Sequence, residues 1–212
     1  MPSSQESKIP RREMLARTVP LLVSGPIALA DSPHMLGRCV IAQAGRRVDA
    51  VNSAIARFPS ANVPVVRERI KNELLQEKPL ALVSSAACGT DLLALDLAGD
   101  LKIERFVLLP SKPEVFRASS VTDRPGDWGS LFDRIIKEAH VAVFTLPEGQ
   151  AGYLETNIRL LDKAQALAQK NKVPAKAMVV WDQKSRGPDD VTGHFLAQAR
   201  QRRWPIVEIS TL

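Results

Sequence analysis

Two short stretches carry the residues whose types and spacing could do chemistry. One is LPEGQAGYLETN, residues 146–157, which follows an apolar run and opens a helical pattern. α/β proteins often place a phosphate-binding loop at such a point, and here Gly149 and Gly152 are its remaining glycines, with Glu148 between strand and helix. The other is SSAACGTD, residues 84–91. Its small residues Ser85, Ala86, Ala87, Cys88 and Gly89 let backbone amides approach a ligand, and Thr90 or Asp91 opens the next helix with its positive end forward. Neither stretch is a GxGxxG fingerprint or a Walker loop with Gly-Lys-Ser/Thr, so NAD or ATP use has no motif behind it and no cofactor is expected.

A thiol at a helix N-terminus, as Cys88 is, has a lowered pKa, but a nucleophile also needs a base. His34, His140 and His194 are scattered, and His140 begins a strand, so a packed thiol is the expected role. Cys39 and Cys88 form no CxxC pair and have no histidine cluster beside them, which leaves no metal site and no disulfide framework.

The elements that must position these loops alternate along the chain. Buried-strand patterns fall at PLLVS (20–24), LALVSS (80–85), IERFVLLP (103–110), HVAVFTL (140–146), AKAMVVWD (175–182) and PIVEIST (205–211). Helical periodicity fills the gaps. PVVRERIKNELLQEK sets Val66, Ile70, Leu74 and Leu75 on one face, and the long helix from Tyr153 sets Ile158, Leu161, Ala164 and Leu167 inward. PEVFRASS and DWGSLFDRIIKEA are shorter helices, and DDVTGHFLAQARQRR is the last. Unbroken apolar strands separated by helices predict an α/β, Rossmann-like, doubly wound, mainly parallel sheet with helices on both faces. Residues 25–58 read as a long irregular stretch, with one or two short helices in MLGRCVIAQAGRRVDAVNSAIARF.

Composition narrows the function classes. The 212 residues are 45% hydrophobic, enough for a single domain over 19–212 behind a flexible basic arm, residues 1–18. Aromatic residues are only 5%, too few for a platform that stacks single-stranded nucleic acid. The net charge of +6 sits mostly at the two ends: four Lys/Arg against two Glu over 1–17, five against two Asp over 183–203. That is not a nucleic-acid stripe. The apolar VPLLVSGPIALA is interrupted by Pro and Gly and too short to span a bilayer, and it has no signal-peptide cleavage site. The expectation is a cytoplasmic protein that contacts no membrane. Its basic arm and last helix are the surfaces for a second copy or an effector partner.

LLVSG, SSAACGTDLLALDLA, RFVLLP, EVFRASSV, DWGSLFDRIIKEAHVAVFTL and YLETNIRLLDKA occur in an order that resembles bacterial SLOG-type Rossmann domains, over roughly residues 20–182. The same superfamily contains the cytokinin-activating phosphoribohydrolases, long described as lysine decarboxylases, with PGGxGTxxE between a strand and a helix. PEGQAGYLE keeps Pro147, Gly149 and Glu155 at that spacing, while Glu148, Ala151 and Gly152 replace the first Gly, the third Gly and the Thr. SGPIALAD has Pro26 where such relatives often carry His after the first strand.

The resemblance implies a nucleotide or nucleoside-derived ligand, sensed rather than turned over. The alternative it implies is a nucleoside 5′-monophosphate N-glycosidase in which Glu155 and Arg134 are catalytic. A third reading is a ligand-free interaction module whose pocket is plugged by Met35 or Trp128.

Ligands of open α/β sheets lie beyond the carboxyl ends of the strands. That rule selects Ser24, Gly25, Ser85 through Thr90, Pro110, Gly149, Gly152 and Asn157 as binding residues, with Arg117 as the phosphate's cationic partner. The phosphate is expected between the amides of 86–90 and those of 149–153, with Asp91 and Glu148 facing solvent or capping their helices.

Overall fold

A computed structural model of the chain describes residues 39–212. PLLVS, Ser24, Gly25, Pro26, His34, Met35 and the N-terminal arm lie outside the described residues. In chain order the elements are β1 (Val40–Gly45), α1 (Val63–Glu77), β2 (Ala81–Ser84), α2 (Thr90–Asp100), β3 (Glu104–Leu109), α3 (Pro113–Ser120), α4 (Trp128–Glu138), β4 (His140–Val143), α5 (Gln150–Asn171), β5 (Ala175–Trp181), α6 (Val191–Gln201) and β6 (Ile206–Ser210). A 3₁₀ turn over Ser60–Asn62 leads into α1.

The six strands form one sheet in the order β4-β3-β2-β1-β5-β6, every pairing parallel. Successive side chains of a strand point to opposite faces, so each central strand feeds two cores. Ile41, Leu82, Val107, Leu109 and Val180 join the core made with α1, α2, α3 and α4. Val40, Ala42, Ala44, Val83, Ala177 and Val179 join the core made with α5 and α6. The alanines matter: Ala42, Ala44 and Ala177 face Ala164 and Ala168, so α5 lies close along the middle of the sheet.

The expected strands and helices C-terminal to residue 60 are all found. One element was misread. Residues 40–45 are not part of an irregular, partly helical stretch but the central strand β1, paired with β2 on one side and β5 on the other. Its three small or polar interior residues, Ala42, Gln43 and Ala44, hide a strand that is wholly covered. Residues 46–58 then run without helix. On α1, Val66, Ile70 and Leu74 are buried as expected, but Leu75 is 45% exposed. On α5, Leu161 and Ala164 face inward, yet the buried stripe includes Thr156, Asn157, Leu160 and Ala168, while Ile158 and Leu167 are half-buried.

Strands β1 to β4 progress in one direction, and β5 then returns to the other side of β1. The order therefore reverses between β1 and β5, where a crevice opens at the carboxyl ends.

Candidate ligand-binding site

At that crevice the chain leaves β1 as Gly45-Arg46-Arg47. Arg46 is buried, which is tolerable for a guanidinium only with paired charges and satisfied donors. It has both. Its Nε donates to Asp182 Oδ1 at 2.8 Å, its Nη1 to Asp190 Oδ1 at 2.5 Å, and its Nη2 to the Lys184 carbonyl at 2.7 Å. Arg57 Nη1 takes the other Asp182 oxygen at 2.7 Å. Burial alone would raise the Asp190 carboxyl. The Arg46 hydrogen bond, with those from the Gly193 and Arg186 amides, outweighs it and holds the carboxyl below its usual value.

Between Arg46 and Arg57 the chain makes a loop pinched at its base. Asp49 Oδ2 accepts the amides of Arg57 and Phe58 at 2.9 and 3.1 Å, and the Asp49 amide donates to the Phe58 carbonyl. Phe58 is fully buried and anchors the far end, whereas Val51 and Ile55 near the tip are 73% and 65% exposed.

This loop forms one wall of a cavity of about 650 Å³. Gly45, Ser85, Ala87, Asp91 and Pro110 lie along its floor at the strand ends. Phe116, Ser120 and Arg124 come from α3 and the segment after it, Tyr153, Thr156 and Asn157 from α5, and Arg186 and Thr192 from the approach to α6 and its start. Tyr153 Oη and Ser120 Oγ are 3.0 Å apart, which ties α5 to α3 across the cavity. The volume lies within the range of small-molecule sites.

Five arginines line this space: Arg46, Arg47, Arg57, Arg124 and Arg186. Arg46 and Arg57 are held by buried carboxylates behind them. Arg47 and Arg124 share one carboxylate, Asp123. The Arg124 Nε stands 4.0 Å from it, beyond hydrogen-bond length, and is itself buried without a partner. Arg186 is exposed at the mouth.

The lining carboxylates, Asp49 and Asp91, are both engaged in the walls. Asp49 holds its own loop. Asp91 accepts from Ser85 Oγ at 2.7 Å, from Gln43 Nε2 at 3.2 Å and from the Ala87 amide at 3.3 Å. Burial raises the Asp91 carboxyl to about 6, only partly offset by these hydrogen bonds.

Asp91 therefore neither faces solvent nor caps its helix from outside. It folds back beneath the 85–87 turn, where it accepts from Ser85 Oγ and the Ala87 amide. Three amides of that turn are spent within the chain as well: Ala87 on Asp91, Cys88 on the Ser120 carbonyl and Thr90 on the Arg46 carbonyl. These three amides are not offered to a phosphate between residues 86–90 and 149–153. A helix N-terminus binds an anion only while its amides are free.

The other sequence-derived candidates divide by position. Ser85, Ala87, Pro110 and Asn157 line the cavity. Ala86, Cys88 and Thr90 are buried beneath it, and Gly89 takes a φ of +92° where the chain passes within reach of Arg46 and Val48. Cys88 is a packed thiol whose sulfur accepts from Arg47 Nε at 3.4 Å, and burial raises its pKa.

Gly149 is exposed with φ +74° and nothing within 4 Å of where a β-carbon would fall, and Glu148 is exposed beside it. Gly152 is buried because a β-carbon there would fall on the Pro147 carbonyl oxygen. Arg117 is placed away from the cavity lining, in a two-pronged pair with Asp133 on α4 at 2.9 and 3.0 Å. Arg134 pairs with Asp96 at 2.7 Å, and Glu155 with Arg159 one turn along α5 at 3.0 Å. Glu155 and Arg134 are not brought together, and neither lines the cavity. Trp128 donates its indole N–H to the Pro125 carbonyl and does not plug it.

The cavity's five arginines are not among the residues that the strand-end rule selects. The available signal was the Arg-Arg pair directly after a covered strand, and the Arg of TDRPGDW after α3.

The buried Asp91 has a measurable consequence. An unfolded aspartate titrates near 3.8 and this one near about 6, so between those values the folded state holds more protons. Stability from this group rises as pH falls through that window, and the cost of the buried charge is fully present above it. Relative to Asp91→Asn, the wild-type protein should gain stability between pH 7 and pH 4.5 in urea unfolding. A difference that does not vary with pH would contradict this.

No protein-family model matches the chain, and no curated protein matches it. Solved structures that align with it include DNA processing protein A from Streptococcus pneumoniae, at 16% identity over 80% of this chain with a TM-score of 0.33. The chain covers 58% of that protein's length. The molybdenum cofactor binding protein of the phototrophic bacterium Rippkaea orientalis aligns at 15% identity, 82% of this chain, 91% of the other and a TM-score of 0.35. The Moco carrier protein of Chlamydomonas reinhardtii aligns at 11% identity, 82% and 91% coverage and a TM-score of 0.29. At this distance the likenesses carry no argument about what the chain binds. Among the described residues no helix is long and apolar enough to cross a membrane.

Proposed function

We propose that the protein binds a small anionic ligand, a nucleotide or nucleoside derivative, in the cavity at the β1/β5 crevice, and that it senses this ligand rather than converting it. The observation that carries the reading is the asymmetry of the cavity's charges. The two lining carboxylates are turned into the walls, while Arg47, Arg124 and Arg186 present cations at the rim. A guanidinium at such a rim can donate two parallel hydrogen bonds to a phosphate. Phe116, Tyr153, Val48 and Ile55 supply the apolar surface that a base or sugar needs. The order of motifs resembling SLOG-type domains agrees with this reading.

Nothing in the geometry favours the N-glycosidase alternative, since Glu155 and Arg134 each hold another partner outside the cavity lining. The ligand-free module is disfavoured by the cavity's size.

A ligand that binds only the folded state must raise its melting point. AMP, GMP, ADP-ribose and cyclic dinucleotides at millimolar concentration form the test panel, and at least one should raise it. Arg124→Ala should abolish most of the shift while leaving the ligand-free melting point within a few degrees, because no buried carboxylate depends on Arg124. No shift with any of them would overturn the reading.

A further inference from the structure

The floor of the cavity fixes which end of a ligand meets it. Ser85 is half-buried and lines the cavity, and its hydroxyl donates to Asp91 Oδ2 at 2.7 Å. The direction of that bond is not free. The Ala87 amide, which can only donate, points at the same oxygen, so Asp91 is the acceptor there. On the other side, Ser84 Oγ lies 2.7 Å from Gln43 Oε1, which turns the Gln43 amide nitrogen toward Asp91 Oδ1. Thr90 Oγ1 is 3.4 Å from the same oxygen. Ser84 and Gln43 are fully buried, so this network is fixed by packing as well as by hydrogen bonds.

A serine whose one hydrogen is committed behind it offers the cavity only lone pairs. The point therefore accepts a hydrogen bond and repels an anion, the more so with a carboxylate directly behind. The rim is the reverse: Arg124 and Arg186 donate and attract an anion.

We propose that Ser85, oriented by Asp91, is the specificity-determining residue that takes a sugar hydroxyl of the ligand. The bound molecule is then a ribonucleoside phosphate lying with its ribose on the strand ends and its phosphate at the arginine rim. This rests on the nucleotide-binding reading above and adds to it a ligand class and a direction. A phosphate on the floor would meet Ser85 lone pairs and the Asp91 charge, so the reversed pose is excluded by the same geometry.

Isothermal titration of AMP, 2′-deoxy-AMP and 3′-deoxy-AMP against the wild-type protein, Ser85→Ala and Ser85→Cys tests it. One of the two deoxy nucleotides should bind the wild-type protein at least about fivefold more weakly than AMP, the loss expected for one hydrogen bond. That discrimination should vanish in Ser85→Ala and shrink in Ser85→Cys, since sulfur is a weak acceptor. Equal binding of all three nucleotides by the wild-type protein, or discrimination that persists in both variants, overturns the role of Ser85 while leaving nucleotide binding standing. No heat with AMP or with any other nucleotide of the melting-point panel removes the binding reading, and this inference with it.

Discussion

Arg46→Ala should lower the stability of the protein by about 3–5 kcal/mol, the usual cost of leaving a buried charge without its partner. Asp182 and Asp190 have side chains only 1% and 3% exposed, and both are held by this one guanidinium. Arg57 would still reach one oxygen of Asp182, but Asp190 would keep only backbone amides. At 2–4 °C per kcal/mol for a chain of this size, the melting point should fall by roughly 6–20 °C. Two details make the prediction specific. Arg46→Lys should recover little, because an ammonium cannot satisfy two carboxylates and the Lys184 carbonyl in the plane that the guanidinium spans. Asp190→Asn in the Arg46→Ala background should cost less than either change predicts separately, since the orphaned charge is gone. A loss below about 1 kcal/mol would mean that the crevice is not held by this network.

The second large effect belongs to a glycine. A β-carbon on Gly45 would fall on the Val180 carbonyl oxygen of β5 and on the Thr90 hydroxyl at the start of α2. Neither neighbour is the tip of a long flexible side chain. Gly45→Ala must push apart the end of β1, its partner strand and the helix above, and should destabilise by roughly 3 kcal/mol or more, in the range reserved for overpacking and strain. Gly149→Ala is the control. Its φ of +74° with ψ of −146° is a backbone conformation open almost only to glycine and costs roughly 1–3 kcal/mol with a side chain, but no atom stands in the way. Urea unfolding of the two variants separates close approach from backbone conformation. A Gly45→Ala loss below about 1 kcal/mol would show that packing at Gly45 is looser than the geometry states.

These glycines also show what the sequence could and could not reveal. The PEGQAGYLE loop looks like a worn phosphate loop because it has two glycines after a strand. In the structure Gly149 serves an exposed turn and Gly152 serves the approach of the Pro147 carbonyl, so neither contributes a surface to the cavity.

The alternation of apolar runs and helical periods sufficed to infer five of the strands and the parallel sheet. It did not suffice for β1, whose Ala-Gln-Ala centre is small because α5 packs close and polar because Gln43 serves Asp91. Missing β1 moved the crevice. Its end carries Arg46 and Arg47 at the cavity, whereas Arg117, the cation the sequence points to, is bound to Asp133.

SSAACGTD was placed at the right edge of the sheet, and Ser85 and Ala87 do line the cavity. Residue types alone do not show that the Ala87, Cys88 and Thr90 amides are bonded within the chain. A first-turn aspartate can cap its helix, turn to solvent, or fold back beneath the preceding turn, and tertiary packing selects among these. Here Gln43, from a strand 48 residues earlier, selects the last.

The central claim is that rim arginines hold an anionic group of a ligand in this cavity. The most direct measurement is the dissociation constant of whichever nucleotide gives the largest melting shift, determined by calorimetry for the wild-type protein, Arg124→Ala and Arg186→Ala at low and high salt. The account predicts that affinity falls as salt rises, as expected for charges at a partly open rim. Arg124→Ala should weaken binding by about tenfold or more, as loss of a charge-assisted hydrogen bond implies, and Arg117→Ala should leave it unchanged. Affinity indifferent to Arg124 and Arg186, or lost with Arg117, would contradict it.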